Sequence, residues 1–159
     1  MVAYSFKSAF VEDIAAGLKR QTIRLPRPRH ARPGERLQLF TGMRTKHCRK
    51  IIPDPVCVAV DELIIDTRSG RLDHLEINGC VIDLASAEAD AFAVADGFGS
   101  PPRTIRPIEI FAIWFAVADG FGRPARTLRP IEIFAIWWRT VHGPALHPDL
   151  SLIRWEPRP

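Results

Sequence analysis

Gly17-Leu18-Lys19-Arg20-Gln21-Thr22-Ile23-Arg24 is the stretch on which the reading of this chain turns. Before it, Phe10, Ile14 and Leu18 recur every fourth residue, which predicts an amphipathic helix; Ser8 is placed to cap it, and Gly17 falls where it would end. The octet then sets Lys19, Thr22 and Arg24 close together. A threonine hydroxyl is a weak nucleophile at neutral pH and needs a neighbour to take its proton. A lysine does this only when its pKa falls well below the usual value of about 10.4, as burial or nearby cations such as Arg20 and Arg24 would make it.

Residues three apart in a helical turn share a face, so Lys19 and Thr22 meet if the chain stays coiled there; in a flat strand they point to opposite faces. The bland alternative is that Lys19, Arg20 and Arg24 form a solvated basic turn and that Thr22 merely starts a strand. Working outward, Arg36 to Phe40, Val56 to Asp66 and His74 to Ile82 read as strands, with breaks at Gly42, Ser69-Gly70 and Asn78-Gly79. A helix rich in alanine begins near Ser86. The pattern is α+β.

The spacing Gly-x-Lys-x-x-x-x-Arg, met as Gly17, Lys19 and Arg24, resembles the signature of the ASCH domain, a relative of the PUA RNA-binding fold. The preceding amphipathic helix, the turn and strand of Arg32 to Phe40, and Leu152-Ile153-Arg154-Trp155 as a closing strand fit the same family. The resemblance implies one domain over residues 1–159, built as a small PUA-like β-barrel of five or six strands with two to four flanking helices. It implies a function too. The family's small bacterial amidohydrolases release acetate from N(4)-acetylcytidine with a lysine, a threonine three residues later and a distant glutamate. Lys19 and Thr22 match the first two, and an Ala-Asp-Gly-Phe stretch offers Asp96 or Asp119 for the acid, with Asp96 preferred because it continues the alanine-rich helix.

On that resemblance Lys19 is the base, Thr22 the nucleophile, and Arg24 or a backbone amide the oxyanion donor, with Arg20, Arg24, Arg44 and Lys46 holding the substrate. No cofactor is implied. The alternative class is an RNA-binding module or ribonuclease in the same basic cleft, where Lys19 and Arg24 hold phosphate.

Charge is uneven along the 159 residues. Residues 1–50 carry 12 Lys or Arg against 3 Asp or Glu, a balance of +9, and residues 51–159 carry 10 against 15, a balance of −5. Two basic runs, one from Arg24 to Arg32 and one from Arg44 to Lys50, can draw in nucleic acid or a modified nucleoside; the alternative is that they only keep the protein dispersed. The hydrophobic content of 47% suffices for a real core. No long uncharged apolar run or signal-peptide core is present, which predicts a cytoplasmic protein without membrane contact. Cys48, Cys57 and Cys80 are odd in number, and with His30, His47 and His74 they show no metal-ligand spacing, so neither a disulfide framework nor a metal is expected.

A tandem repeat is the second organising feature. Residues 92–114 and 115–137 are identical at 20 of 23 positions, differing only at Ser100/Arg123, Pro102/Ala125 and Ile105/Leu128. One copy is expected to occupy the helical position and the other to be an insertion that packs as a further helix or forms a homodimer contact. The apolar stretches Pro107 to Trp114 and Pro130 to Trp137 suit either a helix starting at proline or a strand.

Overall fold

The computed structural model describes residues 1–98 and 128–156. In chain order these form β1 (Val2–Phe6), a 3-10 turn (Ser8–Phe10), α1 (Val11–Ala15), β2 (Gln21–Arg24), β3 (Leu37–Thr41), β4 (Arg49–Lys50) and β5 (Val56–Asp66). There follow β6 (His74–Ile77), β7 (Cys80–Val81), α2 (Ala87–Ala95), α3 (Pro130–His142) and β8 (Leu146–Glu156). The class is α+β. One sheet has the order β1-β3-β4, with β1 and β3 parallel; the other is antiparallel, in the order β2-β8-β5-β6-β7.

Two links tie the sheets together. Arg36 forms an isolated bridge to Val56, beside the bonds from Leu37 N to Pro55 O and from Cys57 N to Glu35 O. On the other side, Arg24 Nη2 donates to Ser5 O at 3.0 Å, so a guanidinium spans from β2 to β1. Between the sheets lies a core of Tyr4, Phe6, Leu37, Leu39, Ile153 and Trp155. A second core holds α2 and α3 against the outer face of the larger sheet through Leu63, Ile65, Phe92, Phe134 and Trp138.

Local chemistry explains the elements. Val56 to Asp66 is a strand as read. His74 to Ile82 is instead a hairpin, because Asn78 (φ 50°) and Gly79 (φ 79°) both adopt positive φ, the requirement of a tight two-residue turn. The closing strand begins six residues earlier than Leu152 and contains Pro148. That residue cannot donate to a ladder, and the register with β5 shifts there, between Leu63 paired with Leu150 and Ile65 paired with His147.

The first helix is shorter than its periodicity suggests. Ser8 makes no cap, the chain enters through the 3-10 turn, and Leu18 lies past the helix end, 46% exposed. Pro130 to Trp137 is a helix, not a strand. Pro130 occupies its first turn, Glu132 Oε2 accepts from Arg129 N at 2.7 Å, and Ile131, Phe134 and Trp138 make one buried stripe.

The repeat is divided between these elements. The end of α2 and the turn after it, Phe92 to Phe98, come from the first copy, and the helix Pro130 to Trp137 comes from the second. Asp119 and the stretch Pro107 to Trp114 lie outside the described residues. Deleting 92–114 or deleting 99–121 leaves the same shortened chain, one full repeat between Ala91 and Trp138. That chain is expected to keep its far-UV circular dichroism and to unfold cooperatively within about 5 °C of the parent. Loss of cooperative unfolding would show that both copies are needed.

Candidate active site

Two helix ends built alike create the site. At the end of α1, Gly17 (φ 71°) donates to Ile14 O at 3.1 Å and Leu18 N to Asp13 O at 2.8 Å; at the end of α2, Gly97 (φ 97°) donates to Val94 O at 2.9 Å and Phe98 N to Ala93 O at 2.9 Å. Each is a Schellman turn, in which a left-handed glycine lets the last carbonyls find donors. The first turn delivers Lys19 and the second delivers Asp96. Arg20 holds the two ends together, its N–H bonded to Ala95 O at 2.9 Å and its carbonyl to Trp155 N at 3.0 Å.

Lys19 Nζ donates to Asp96 Oδ1 at 2.9 Å and also to the Asp96 carbonyl. The side chains are only 3% and 5% exposed. The amine therefore sits at the C-terminal end of α2, where a positive charge is favoured, and lies 4.7 Å from the centre of the Phe10 ring. Burial pushes the Lys19 ammonium below its ordinary range and the Asp96 carboxyl above its own, while the attraction and hydrogen bond between them work the other way. Both shifts favour the uncharged pair. Gly97 permits the approach, since a Cβ there would lie 3.0 Å from Phe10 Cδ1 and 3.1 Å from Lys19 Cδ.

Thr22 arrives from β2. Lys19 and Thr22 do not share a helical turn: Lys19 lies in the link after α1, and Thr22 is the second residue of a strand. Strand alternation sends Thr22 and Arg24 to the same side, while Gln21 turns away and donates to Phe92 O at 2.9 Å, docking α2 on the sheet. Lys19, Thr22, Arg24 and Asp96 all line one cavity of about 500 Å³. Thr22 is 5% exposed.

The rest of the cavity wall is largely aromatic. Phe6 and Phe10 come from the N-terminal segment, and Trp137, Trp138 and His142 from α3. Burial, then the neighbouring His147 and Lys7, lowers the pKa of His142, so at neutral pH it is an uncharged donor or acceptor. Among the described residues two donors on side chains of this wall, Arg24 Nε and Trp138 Nε1, are buried without an acceptor.

Of the residues singled out from sequence, Lys19, Thr22, Arg24 and Asp96 come together. Arg20 contributes its backbone, but its exposed side chain is not part of the cavity wall; Arg44 and Lys46 sit exposed in the loop between β3 and β4, also apart from it. Trp137, Trp138 and His142 were missed, because an apolar stretch that fits a core gives no sign that one edge of it borders a cavity. No three His, Cys, Asp or Glu side chains gather as metal ligands among the described residues, and no helix there is long and apolar enough to cross a membrane. Comparison with protein families, with curated proteins and with solved structures finds no match for this chain.

Removing one member of the buried pair takes away the other's side-chain hydrogen-bond partner and leaves its burial uncompensated. Asp96→Ala is therefore expected to destabilise the fold by about 3–5 kcal/mol. The double variant Lys19→Met/Asp96→Leu should recover most of that, as measured by urea unfolding at pH 7. Equal losses in both variants would mean that the pair's charge is not what Asp96→Ala exposes.

Proposed function

We propose that the cavity is the active site of an amidohydrolase that removes an acyl group from the exocyclic nitrogen of a modified nucleoside such as N(4)-acetylcytidine. We further propose that the chain is an ASCH-like domain whose two sheets roll into a small PUA-like barrel. The observation that carries the reading is a buried amine, bonded to a buried carboxyl, lining the same cavity as a buried threonine hydroxyl. The links from Arg36 to Val56 and from Arg24 to Ser5, with the core between the sheets, support the barrel. The spacing of Gly17, Lys19 and Arg24 supports the family.

The chemistry is an acyl transfer through threonine. With its amine uncharged, Lys19 takes the proton of Thr22 as its Oγ attacks the acyl carbonyl, and the Asp96 carboxylate steadies the ammonium that forms. Arg24 is the candidate donor to the developing oxyanion. When the C–N bond breaks, Lys19 returns the proton to the departing cytosine nitrogen. Water, deprotonated in turn by Lys19, then cleaves the threonine ester; Lys19 returns that proton to Thr22 Oγ and acetate is freed. Trp137 lines the cavity, and a base stacked on it would gain about 1–3 kcal/mol. Aspartate suffices in place of the family glutamate, since its oxygen already lies 2.9 Å from the amine.

One observation favours the RNA-binding or ribonuclease reading: Arg24 and Arg27 line the cavity beside an exposed basic segment. Against it, the Lys19 amine is engaged by Asp96 and is not free to hold phosphate.

Incubation with N(4)-acetylcytidine should yield cytidine, and Thr22→Ala should cut turnover by about 10³-fold or more with little change in ligand affinity. Thr22→Ala activity equal to the parent's, or RNA binding lost on Arg24→Ala without any deacetylation, would move the assignment to the binder.

The base has a pH signature. Because burial holds Lys19 below its ordinary 10.5, kcat/KM should rise with pH and level off below that value. Asp96 raises the Lys19 pKa, so the residual activity of Asp96→Asn should level off at lower pH still. A limb that stays put or moves up in that variant would exclude Lys19 as the titrating base.

A further inference from the structure

The outer part of the cavity carries a charge pattern that the hydrolysis of a neutral nucleoside does not use. Lys7, Arg24 and Arg27 all line it, and among the described residues none of the three has a carboxylate within 4 Å. Burial lowers the Arg24 pKa, Asp96 raises it and the charge of Arg27 lowers it, so the two guanidiniums stand in each other's field. They persist together at a cost that an anion would relieve.

The two guanidiniums are held in place. Arg24 and Arg27 lie over the Tyr4 ring, 5.3 and 4.4 Å from its centre, and Arg24 is also 4.9 Å from that of Phe6. Arg27 Nε donates to His30 Nδ1 at 3.2 Å, which requires that nitrogen to be unprotonated; burial and the charge of Arg27 hold the His30 pKa down. Arg24 Nη2 is fixed on Ser5 O, whereas its buried Nε has no acceptor. Rigid guanidinium forks with free donors suit phosphate oxygens.

Depth separates the two chemistries. Lys19, Thr22 and Asp96 are buried, while Lys7 and Arg27 are exposed. A cavity of about 500 Å³ is the size that encloses one small ligand. We propose that the ligand is a nucleoside monophosphate, with its acylated base turned inward to Thr22 and its phosphate held by Lys7, Arg24 and Arg27. The orientation rests on the amidohydrolase reading; the phosphate site does not.

Calorimetric titration of the full chain with cytidine, with cytidine 5′-monophosphate and with a short oligocytidine separates the cases. The monophosphate is expected to bind at least about tenfold more tightly than cytidine at ~50 mM salt, with the advantage shrinking at ~200 mM. In Lys7→Ala/Arg27→Ala, both exposed positions, that preference should fall below about twofold, and deacetylation of the two acetylated ligands should show the same change in ratio of kcat/KM. Equal affinity for cytidine and its monophosphate, no binding of either, or a preference that survives the double substitution would overturn the proposal. So would an oligocytidine that binds more tightly than the monophosphate. Phosphate preference with no turnover of either acetylated ligand would uphold the phosphate site and remove the amidohydrolase.

Discussion

The contact between Lys19 and Asp96 is the constraint around which this structure is arranged. Taking an ammonium and a carboxylate out of water costs several kcal/mol per ion even after relaxation, and their mutual attraction repays that only if the geometry is close and the remaining donors are occupied. Here the amine has a carboxylate oxygen, a helix-end carbonyl and an aromatic face around it. The backbone supplies that geometry through two helix ends that each finish on a glycine, joined by the hydrogen bonds of Arg20. A side chain at position 97 would press on Phe10 and on the lysine itself.

Stability alone is a poor reason for such a pair. Apolar residues of similar volume would fill the same space without the desolvation cost, and a second core of that kind lies alongside, between the larger sheet and the two helices. What distinguishes this pair is its place on a cavity wall with a hydroxyl nearby. Burial moves both groups toward their uncharged forms, so a proton can pass between them, and to a bound molecule, at modest cost. The same low-dielectric surroundings strengthen Arg24 as an electrostatic partner for any charge that develops there.

Much of this was legible in the sequence, and the failures have physical causes. Gly17 announced a helix end because the left-handed conformation selects glycine, and Asn78-Gly79 announced a break for the same reason. Strand β5 was legible throughout its length because Val56, Val58, Val60, Ile64 and Ile65 enrich it in β-branched residues between turn signals. The route by which Lys19 and Thr22 come to line one cavity was not legible. Their spacing brought them to one face only if the chain stayed coiled, whereas a link residue and a strand residue line one cavity because β2 pairs with β8, 131 positions away in the register of Thr22 with Ile153. Arg44 and Lys46 drew notice through local charge density, which reports composition and not the side of the molecule on which a loop lies. The cavity face of α3 was hidden because burial in a core and burial against a cavity demand the same apolar residues.

The repeat makes the identity of the acid a question about flanking residues more than about copies. Because the copies match at 20 of 23 positions, either could in principle supply the turn that carries the aspartate or the helix that follows. The described arrangement is fixed from outside the repeat. Upstream, Ser86 caps α2 by accepting from Ala89 N at 3.2 Å, so the first copy's aspartate is the one that a capped helix delivers to Lys19. Downstream, Trp138 is buried, Arg139 donates to Gly70 O and His142 packs on Trp138 with ring centres 4.2 Å apart, contacts that only the helix continuing from the second copy can make. Asp96 and Trp137 thus border one cavity although they belong to different copies. The extra length lies between them, so the site can be assembled from a duplicated sequence without the duplication altering any residue in contact with Lys19.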